Sequence, residues 1–362
     1  MRVCHVISGD LWAGAETMCL RLLTGLGGMP DVERSAILLN EGRLSNEVRN
    51  LGIPMAVVDE TTTGFLRAVR RVRETVREFR PDVLHTHRLK ENILGYLSAG
   101  GAGKGIPLVC TQHGLDEPQL RLKWRLLSAV NRHLMSAHFR YVVAVSEDVR
   151  DALSGRNGIP GGKVVVIHNG TDVRSHAPGT TGDRPFTIGS AGRLFPVKDY
   201  PLLVDVAAEI CRHAGNVRFE LAGEGPEFEK VAQRVRNRGL EGRFTMKGFV
   251  ENMPEFYRGL DLYINTSLHE GFPMSVLEAM AHGLPVVAPA GGGIREAVAD
   301  GVHGYLVDGR DPGGFARRCH EICRDPELRS RMGAACREKV AGEFSIRAMA
   351  ERYMELYRAS VS

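Results

Sequence analysis

The sequence predicts an α/β protein built from two doubly wound parallel sheets, each in its own domain. With 362 residues, the chain is long enough for two domains that each bury a core. Short runs rich in Val, Ile and Leu alternate with amphipathic stretches in both halves, a pattern typical of βαβ units. We therefore expect domains at 1–175 and 186–344, a linker at 176–185, a C-terminal amphipathic helix at 345–362, and ligand in a central cleft.

The strands can be assigned in order along the chain. In the first domain they are expected at 2–7, 35–39, 55–58, 82–85, 108–111, 141–145 and 164–167. In the second domain they are expected at 187–190, 218–222, 243–247, 262–265, 285–288 and 304–307. Stretches between them, such as 16–26 and 65–79, repeat apolar residues with helical spacing. The C-terminal segment has the same spacing, but the pattern does not indicate what it packs on.

Composition excludes several classes of protein. The chain is 43% hydrophobic and 25% charged, as in ordinary globular proteins, and its net charge of +4 is too small to indicate nucleic-acid binding. Its seven cysteines are scattered without a CxxC pair, which favours reduced thiols over disulfides or zinc. No apolar run is long enough for a membrane span, and the N-terminus reads as a strand. We expect a cytoplasmic enzyme.

The strongest local motif runs from His269 to Gly283. A strand ends before it, a Gly-Pro loop follows, and a helix is expected from about Met274, with its free N–H groups available to phosphate or sugar. Glu270 lies in the loop and Glu278 one turn into the helix, so both carboxylates can reach one ligand. They could instead be a glycosidase acid and nucleophile, or a helix-dipole partner and a surface charge.

This motif resembles the hallmark of the GT4 family of retaining nucleotide-sugar glycosyltransferases. Other segments match the family in order: Ala-Gly-Ala-Glu at 13–16, Asp-Val-Leu-His-Thr-His at 82–87, Val-Ser-Glu at 145–147, Ile-His-Asn-Gly-Thr-Asp at 167–172, Gly-Arg-Leu-Phe-Pro-Val-Lys-Asp at 192–199 and Leu-Ala-Gly-Glu-Gly-Pro-Glu at 221–227. The match runs from the first strand to about residue 310. The resemblance implies the GT-B fold of two Rossmann-like domains facing a cleft.

The resemblance also implies roles for particular residues. Arg193 and Lys198 would bind the donor diphosphate, Glu270 the donor sugar and Glu278 the ribose. Further donor contacts would come from Gly14 and from the backbone amides of Gly271, Phe272, Pro273 and Met274. His113 would touch the sugar near the reacting carbon, which makes His113, Glu270, Arg193 and Lys198 the catalytic set. Since the chain has no Asp-x-Asp motif, neither a metal nor another cofactor is expected.

The implied reaction moves a hexose or N-acetylhexosamine from a nucleotide-sugar donor to a glycan or lipid-linked acceptor, in the synthesis of surface polysaccharide or glycolipid. Two alternatives remain at this stage. One is a nucleotide-sugar epimerase or hydrolase of the same fold, and the other is a non-catalytic homologue. Assaying donor consumption with and without acceptor separates them.

Two further segments carry alternatives. His85, His87 and His113 could form a tri-histidine metal site, although neutral histidines acting as hydrogen-bond partners are the simpler interpretation. Residues 118–146 contain no Asp or Glu and mix cations with apolar side chains. This segment is either a weak contact with an anionic membrane, which would make the enzyme peripheral on the inner face, or a core helix with solvated cations.

Overall fold

The computed structural model describes residues 1–9, 12–100, 105–114, 122–173 and 184–362. The chain forms two compact units: one contains Met1–Gly170 together with Ile346–Ser362, and the other contains Thr171–Ser345. The expected boundary at 175 therefore lies five residues beyond the observed one. Most of the expected linker, up to residue 183, lies outside the described residues.

The first unit is a parallel sheet with helices around it. Its strands are β1 (Arg2–Ile7), β2 (Glu33–Leu38), β3 (Met55–Val57), β4 (Val83–Thr86), β5 (Leu108–Gln112), β6 (Tyr141–Ala144) and β7 (Val164–Val166). Its helices are α1 (Gly14–Leu26), α2 (Arg43–Asn50), α3 (Phe65–Phe79), α4 (Leu89–Ala99), α5 (Leu122–Ala137), α6 (Glu147–Asp151) and the C-terminal α14 (Ile346–Val361). The strand order is β3-β2-β1-β4-β5-β6-β7. The order reverses between β1 and β4, the place where open α/β sheets bind ligands.

The second unit repeats this architecture. Its strands are β8 (Phe186–Ala191), β9 (Val217–Ala222), β10 (Phe244–Gly248), β11 (Leu262–Ile264), β12 (Val286–Pro289) and β13 (Gly304–Val307). Its helices are α7 (Tyr200–His213), α8 (Phe228–Asn237), α9 (Met253–Arg258), α10 (Met274–Ala281), α11 (Ile294–Ala297), α12 (Pro312–Arg324) and α13 (Pro326–Glu343). The order β10-β9-β8-β11-β12-β13 is that of a Rossmann sheet, with its switch point between β8 and β11.

The strand predictions are confirmed in both units. All thirteen expected strands are present, with ends within two residues of those expected, and every pairing between neighbours is parallel. Because both faces of each sheet are covered by helices, the strands are buried along most of their length. Alternation of apolar runs with amphipathic stretches was sufficient evidence for the two sheets.

The C-terminal helix α14 lies within the expected range 345–362, and it belongs to the first unit. It packs on α1, where a Cβ added to Gly25 would lie 2.8 Å from Ala350 and 2.9 Å from Ile346. Glycine at that position lets the two helices approach closely. The packing buries Tyr353 and Tyr357 completely and brings both phenols to the sheet.

Helix α5 covers most of the described part of the basic segment 118–146, whose residues 118–121 lie outside the described residues. Its C-terminal half buries Leu134 and Met135. From its N-terminus to its middle, Leu122, Leu126 and Val130 are 78%, 64% and 40% exposed. The core-helix interpretation therefore holds only for the C-terminal end of α5. Within the described ranges, no helix is both long and apolar enough to cross a bilayer.

Candidate active site

The loop after β8 carries the first cation that the sequence assigned to the donor. Gly192 and Leu194 continue the sheet by donating backbone hydrogen bonds to Ala222 (3.0 Å) and Glu224 (2.8 Å). Between them, Arg193 is exposed, and its guanidinium lies 4.7 Å from the ring centre of Phe195. This cation–π contact orients the side chain without neutralising it. No ion pair joins Arg193 to a carboxylate of the described residues, so its charge is available to an anion.

The second cation lies in an ion pair with the loop carboxylate. Lys198 follows β8 and Glu270 follows β11, the two strands at the switch point, and Lys198 Nζ lies 2.5 Å from Glu270 Oε1. Their side chains are 22% and 11% exposed. The pair is therefore largely shielded from water while keeping access to a ligand. The structure brings together two residues that are 72 positions apart in the chain.

The environment of Glu270 keeps it ionised. Burial raises its pKa, but the charge of Lys198 and hydrogen bonds from Lys198, Ser267 and Asn265 outweigh burial and bring the pKa below its ordinary value. Ser267 Oγ donates over 2.6 Å and Asn265 Nδ2 over 3.3 Å, both to Oε1. All these contacts use one oxygen. Within the described residues Oε2 has no hydrogen-bond donor, so it is the oxygen that a ligand hydroxyl can reach.

Helix α10 starts at Met274, as expected, and its N-terminus has no side-chain cap. The N–H groups of its first turn therefore retain their capacity to bind an anion or a sugar oxygen. Pro273 occupies the N-cap and has no N–H, so one of the four backbone amides expected from the resemblance does not exist. Phe272 is buried, with its ring 5.2 Å from that of Phe344, and this packing fixes the loop.

Glu278 lies one turn into α10 and is oriented by a tyrosine. Buried Tyr257 on α9 donates its hydroxyl to Glu278 Oε2 over 2.8 Å. A carboxylate that is only there to stabilise a helix N-terminus does not need such a partner. The contact orients the Glu278 carboxylate, and the assignment of Glu278 to the ribose stays a prediction.

An arginine that the sequence did not single out holds together the loops around the Lys198–Glu270 pair. Arg310, in the loop after β13, pairs with Asp199 and donates to the carbonyls of Ser267 (3.0 Å) and Thr266 (2.5 Å). Thr266 in turn donates its hydroxyl to the carbonyl of Lys198 over 3.0 Å. Arg310 thus fixes the backbone on both sides of the Lys198–Glu270 pair. Only its loop position after a strand could have drawn attention to it.

Two glycines allow the loops to touch. A Cβ on Gly293 would lie 1.9 Å from the carbonyl oxygen of Gly271, and one on Gly223 would lie 2.0 Å from that of Gly192. Gly223 also has φ of +138°, which side chains rarely adopt. These close approaches keep the loops after β8, β9, β11 and β12 packed at the same edge of the sheet.

The first unit has a different constellation at its own switch point. His5 on β1 lies opposite His85 on β4, and His87 follows β4. His5 Nδ1 lies 2.9 Å from His87 Nε2, and His87 Nδ1 lies 3.3 Å from His113 Nε2. The three rings form a chain from the buried sheet to half-buried His113 at the end of β5.

His85 belongs to a separate branch of hydrogen bonds. Its Nδ1 lies 2.6 Å from the hydroxyl of Tyr357, and its Nε2 lies 2.8 Å from Thr111 Oγ1. Thr111 Oγ1 is also 2.9 Å from the hydroxyl of Tyr353. Helix α14 therefore supplies two of the partners, which explains why both of its tyrosines are buried in a polar network.

Burial keeps these histidines neutral. It lowers the pKa of His5 to about 3, and burial together with the charge of Arg88 lowers the pKa of His113 to about 3. Burial and the neighbouring histidines lower the pKa of His85 and of His87 well below the ordinary range. At neutral pH each ring therefore carries one proton and offers one hydrogen-bond donor and one acceptor.

The tri-histidine alternative does not have the expected members. Candidate ligand atoms lie within 4.8 Å of one another in His5, His85 and His87, whereas His113 contacts only His87 in this group. Both nitrogens of His85 already have hydroxyl partners, so metal binding would require those bonds to break. Hydrogen bonding accounts better for this donor set. His5 was missed because a histidine within a buried strand reads as core.

Gly14 is exposed as the first residue of α1. The preceding Ala13 donates its N–H to Glu16 Oε2 over 3.1 Å, and the buried Glu16 pairs with Arg88 Nη2 at 2.5 Å. The loop before it includes residues 10 and 11, which lie outside the described residues. The contact of Gly14 with phosphate or acceptor stays a prediction.

Each unit is Rossmann-like and built on a parallel sheet, and the motif from His269 to Gly283 lies at the switch point of the second sheet. Together these features define a glycosyltransferase of the GT-B type. Family models agree over most of the chain: residues 12–175 match Glycosyltransferase Family 4, and residues 174–339 match Glycosyl transferases group 1. The D-inositol 3-phosphate glycosyltransferase of Frankia alni is 30% identical over 313 residues, covering 78% of this chain and 75% of that protein. The chain belongs to the GT4 glycosyltransferases.

Other proteins are similar at lower identity. The N-acetyl-alpha-D-glucosaminyl L-malate synthase of Bacillus anthracis is 27% identical over 302 residues, covering 81% of this chain and 78% of that one. The crystal structure of HepE from Anabaena in complex with UDP-glucose has a TM-score of 0.86 at 22% identity, covering 99% of this chain and 100% of HepE. The latter comparison confirms the GT-B fold.

Proposed function

We propose that this glycosyltransferase transfers a hexose or N-acetylhexosamine, with retention and without a metal, from a nucleotide-sugar donor to a glycan or lipid-linked acceptor. The single observation that carries the proposal is the Lys198–Glu270 pair at the switch point of the second unit, with Arg193 exposed on the adjacent loop. It combines cations for a diphosphate with an ionised carboxylate for sugar hydroxyls.

The charge arrangement supports metal independence. As the bond between sugar and phosphate breaks, negative charge develops on the leaving diphosphate. Positive charge comes from Arg193 and Lys198, and N–H groups come from the uncapped start of α10. They lie where the developing negative charge would otherwise need a metal ion. Glu270 and Glu278 are already engaged by Lys198 and Tyr257. Their arrangement favours hydroxyl binding over metal bridging.

The nature of the donor is supported by the relatives. HepE was crystallised with UDP-glucose, and the Bacillus anthracis relative is named for an N-acetylglucosaminyl transfer. A nucleoside diphosphate sugar is therefore the donor class that we propose here. The acceptor would belong to the synthesis of a surface polysaccharide or glycolipid. His113 would bond a sugar hydroxyl through Nδ1, which has no partner among the described residues.

Donor binding is tested first. A thermal-shift screen of UDP, GDP, ADP and their sugars, with and without EDTA, should single out one base, since a bound ligand raises stability by RT ln(1 + [L]/Kd). The shift should survive EDTA. Loss of donor binding in EDTA, restored by Mg²⁺ or Mn²⁺, would contradict metal independence.

Transfer is tested with the donor found in that screen. Donor consumption should depend on acceptor, and the product should keep the anomeric configuration of the donor, as NMR of the product would show. Rapid consumption of donor alone would instead indicate an epimerase or hydrolase, and inversion at the anomeric carbon would contradict retention.

We further propose that α5 contacts anionic lipid, which would place the enzyme on the inner face of the cytoplasmic membrane. Leu122, Leu126 and Val130 recur every four residues and are exposed, while Lys123 and Arg125 are exposed beside them. The helix contains no acidic residue. Apolar side chains flanked by cations suit an interface of negative headgroups, where each cation contributes about 1 kcal/mol.

Liposome flotation tests this contact. The protein should float with anionic but not neutral liposomes, and less so at high salt. Exchanging Lys123 and Arg125 for Glu should abolish flotation, whereas the same exchange at the exposed Arg236 and Arg238 of the second unit should not. Absence of flotation at low salt, or flotation that survives the α5 exchange, would contradict the proposal.

A further inference from the structure

The chain of rings from His113 through His87 to His5 restricts where the protons can lie. Each ring is neutral and carries one proton, so each hydrogen bond between rings has one donor and one acceptor. If His87 donates from Nδ1 to His113, its Nε2 must accept from His5. If His87 donates from Nε2 to His5, its Nδ1 must accept from His113. The three tautomers therefore change together.

The buried end of the chain distinguishes these two arrangements. His5 is fully buried, and its Nε2 has no hydrogen-bond partner among the described residues. If His5 donates from Nδ1, its Nε2 is a bare nitrogen. If His5 accepts at Nδ1, its Nε2 is an N–H without an acceptor. Orphaned buried N–H groups are rare in folded proteins. Cys19 Sγ also lies 3.9 Å from His5 Nδ1, but a thiol can donate or accept weakly, so this contact is compatible with both arrangements.

We propose that His87 and His5 are positioning residues that fix the tautomer of His113, placing the proton on Nδ1. In this arrangement of protons, His5 Nδ1 donates to His87 Nε2, and His87 Nδ1 donates to His113 Nε2. His113 Nδ1, which has no partner among the described residues, is then an N–H donor at the edge of the sheet. It suits a lone pair on a sugar hydroxyl oxygen.

This inference rests on the proposed function only for the nature of the ligand. The tautomer itself is a property of the free enzyme, so it can be measured without donor or acceptor. Its failure and the failure of the proposed sugar contact are therefore separate results.

The test is ¹⁵N NMR of the full-length protein labelled at histidine. Protonated and bare ring nitrogens have well-separated shifts, and the His113 signals are assigned by their loss in His113→Gln. We expect His113 in the wild type to be protonated at Nδ1 and bare at Nε2. A proton on Nε2 would overturn the proposal, and this readout needs no variant of a buried residue.

The role of the chain is tested with His87→Phe, which keeps an aromatic ring and removes both hydrogen bonds. Freed from His87, His113 should shift toward the Nε2–H form that neutral imidazole prefers in water, and kcat/KM should fall about threefold to tenfold, the loss of one hydrogen bond. His5→Phe should shift the His113 signals in the same direction. His133→Phe, at an exposed histidine of α5, is the matched control and should leave them unchanged.

Two outcomes would refute the chain. One is a His113 tautomer that is the same in folded His87→Phe, folded His5→Phe and wild-type protein. The other is a stoichiometric change in the His5, His85 and His87 signals on addition of Zn²⁺ alone, which would identify the cluster as a metal site. An unaltered spectrum with Zn²⁺ supports the hydrogen-bonded chain.

Discussion

The two units place very different chemistry at equivalent positions of similar sheets. At the switch point between β8 and β11, Lys198 and the ionised Glu270 form a shielded charge pair with Arg193 nearby. Between β1 and β4, burial keeps a group of histidines neutral. The common topology fixes where a ligand can be bound, and side chains decide whether charge or directional hydrogen bonding is offered there.

The largest expected effect comes from removing positive charge in the second unit. Changing Lys198 or Arg193 to Ala should lower kcat/KM by roughly 10² to 10⁴. A hydrogen-bond donor aimed at charge that develops in the transition state is worth about 2.7 kcal/mol or more. The fold should persist. Lys230→Ala, at an exposed ion pair of the same unit, is the control and should have wild-type kinetics. Near-normal kcat/KM in both site variants would remove the diphosphate assignment.

A smaller effect is expected from neutralising the carboxylate of the pair. Glu270→Gln should lower kcat/KM by roughly 10- to 100-fold, since a hydrogen bond to a charged group is worth about 1.5–3 kcal/mol. The same change at the exposed Glu241 should leave kinetics unaltered. If Glu270→Gln and Glu278→Gln are both fully active, the two carboxylates merely stabilise the helix and its loop.

The lowered pKa of Glu270 also predicts a stability effect with a definite sign. A carboxyl whose pKa is depressed on folding stabilises the protein above its unfolded-state pKa, ordinarily 4.5, and loses that contribution as pH falls through the folded-state value. Melting temperature measured against pH should therefore fall less steeply below about pH 4.5 in Glu270→Gln than in wild type. Parallel curves for the two proteins would show that folding does not depress this pKa.

Removing contacts that support the charge pair should lower kcat/KM less than changing the pair itself. Arg310→Met removes the fork that joins Asp199 to the carbonyls of Thr266 and Ser267, and we expect kcat/KM to fall about tenfold. Arg310→Lys keeps the charge but not the fork, so it should recover only part of the loss. Full recovery by Lys would show that charge alone matters at this position.

The neutral histidines predict an absence of pH dependence. Because the pKa of His113 is lowered to about 3, this residue should contribute no limb to kcat/KM between about pH 5 and pH 8. The profile of His113→Gln should be lower than that of wild type but equal in shape. A limb near pH 6.5 in wild type that disappears in His113→Gln would contradict a neutral His113.

Sequence reasoning worked where the information is local. The alternation of strands and helices predicted both sheets, and the motif from His269 to Gly283 indicated where α10 begins. The supporting residues were not predictable in this way, because their roles depend on contacts across the sheet. Ser267 and Arg310 act on Glu270 and its loop only after β11 and β13 are aligned. His5 gains its role from a register that places it opposite His85.

The packing of the C-terminal helix shows the same limit. Its apolar spacing predicted a helix but not a partner, and only the space above Gly25 on α1 shows how it packs. Tyr353 and Tyr357 look like core residues in the sequence. Their hydroxyls have partners in Thr111 and His85 because the fold brings together residues more than two hundred positions apart.

Isothermal titration tests the central claim, that the second unit binds the donor diphosphate through fixed positive charge. The nucleotide selected by the thermal-shift screen is titrated as its diphosphate and as its monophosphate in EDTA, into wild type, Lys198→Ala and Lys230→Ala. We expect wild type and Lys230→Ala to prefer the diphosphate, and Lys198→Ala to lose about tenfold or more of that preference. An unchanged preference in Lys198→Ala, or one that requires added divalent metal in the wild type, would contradict the account.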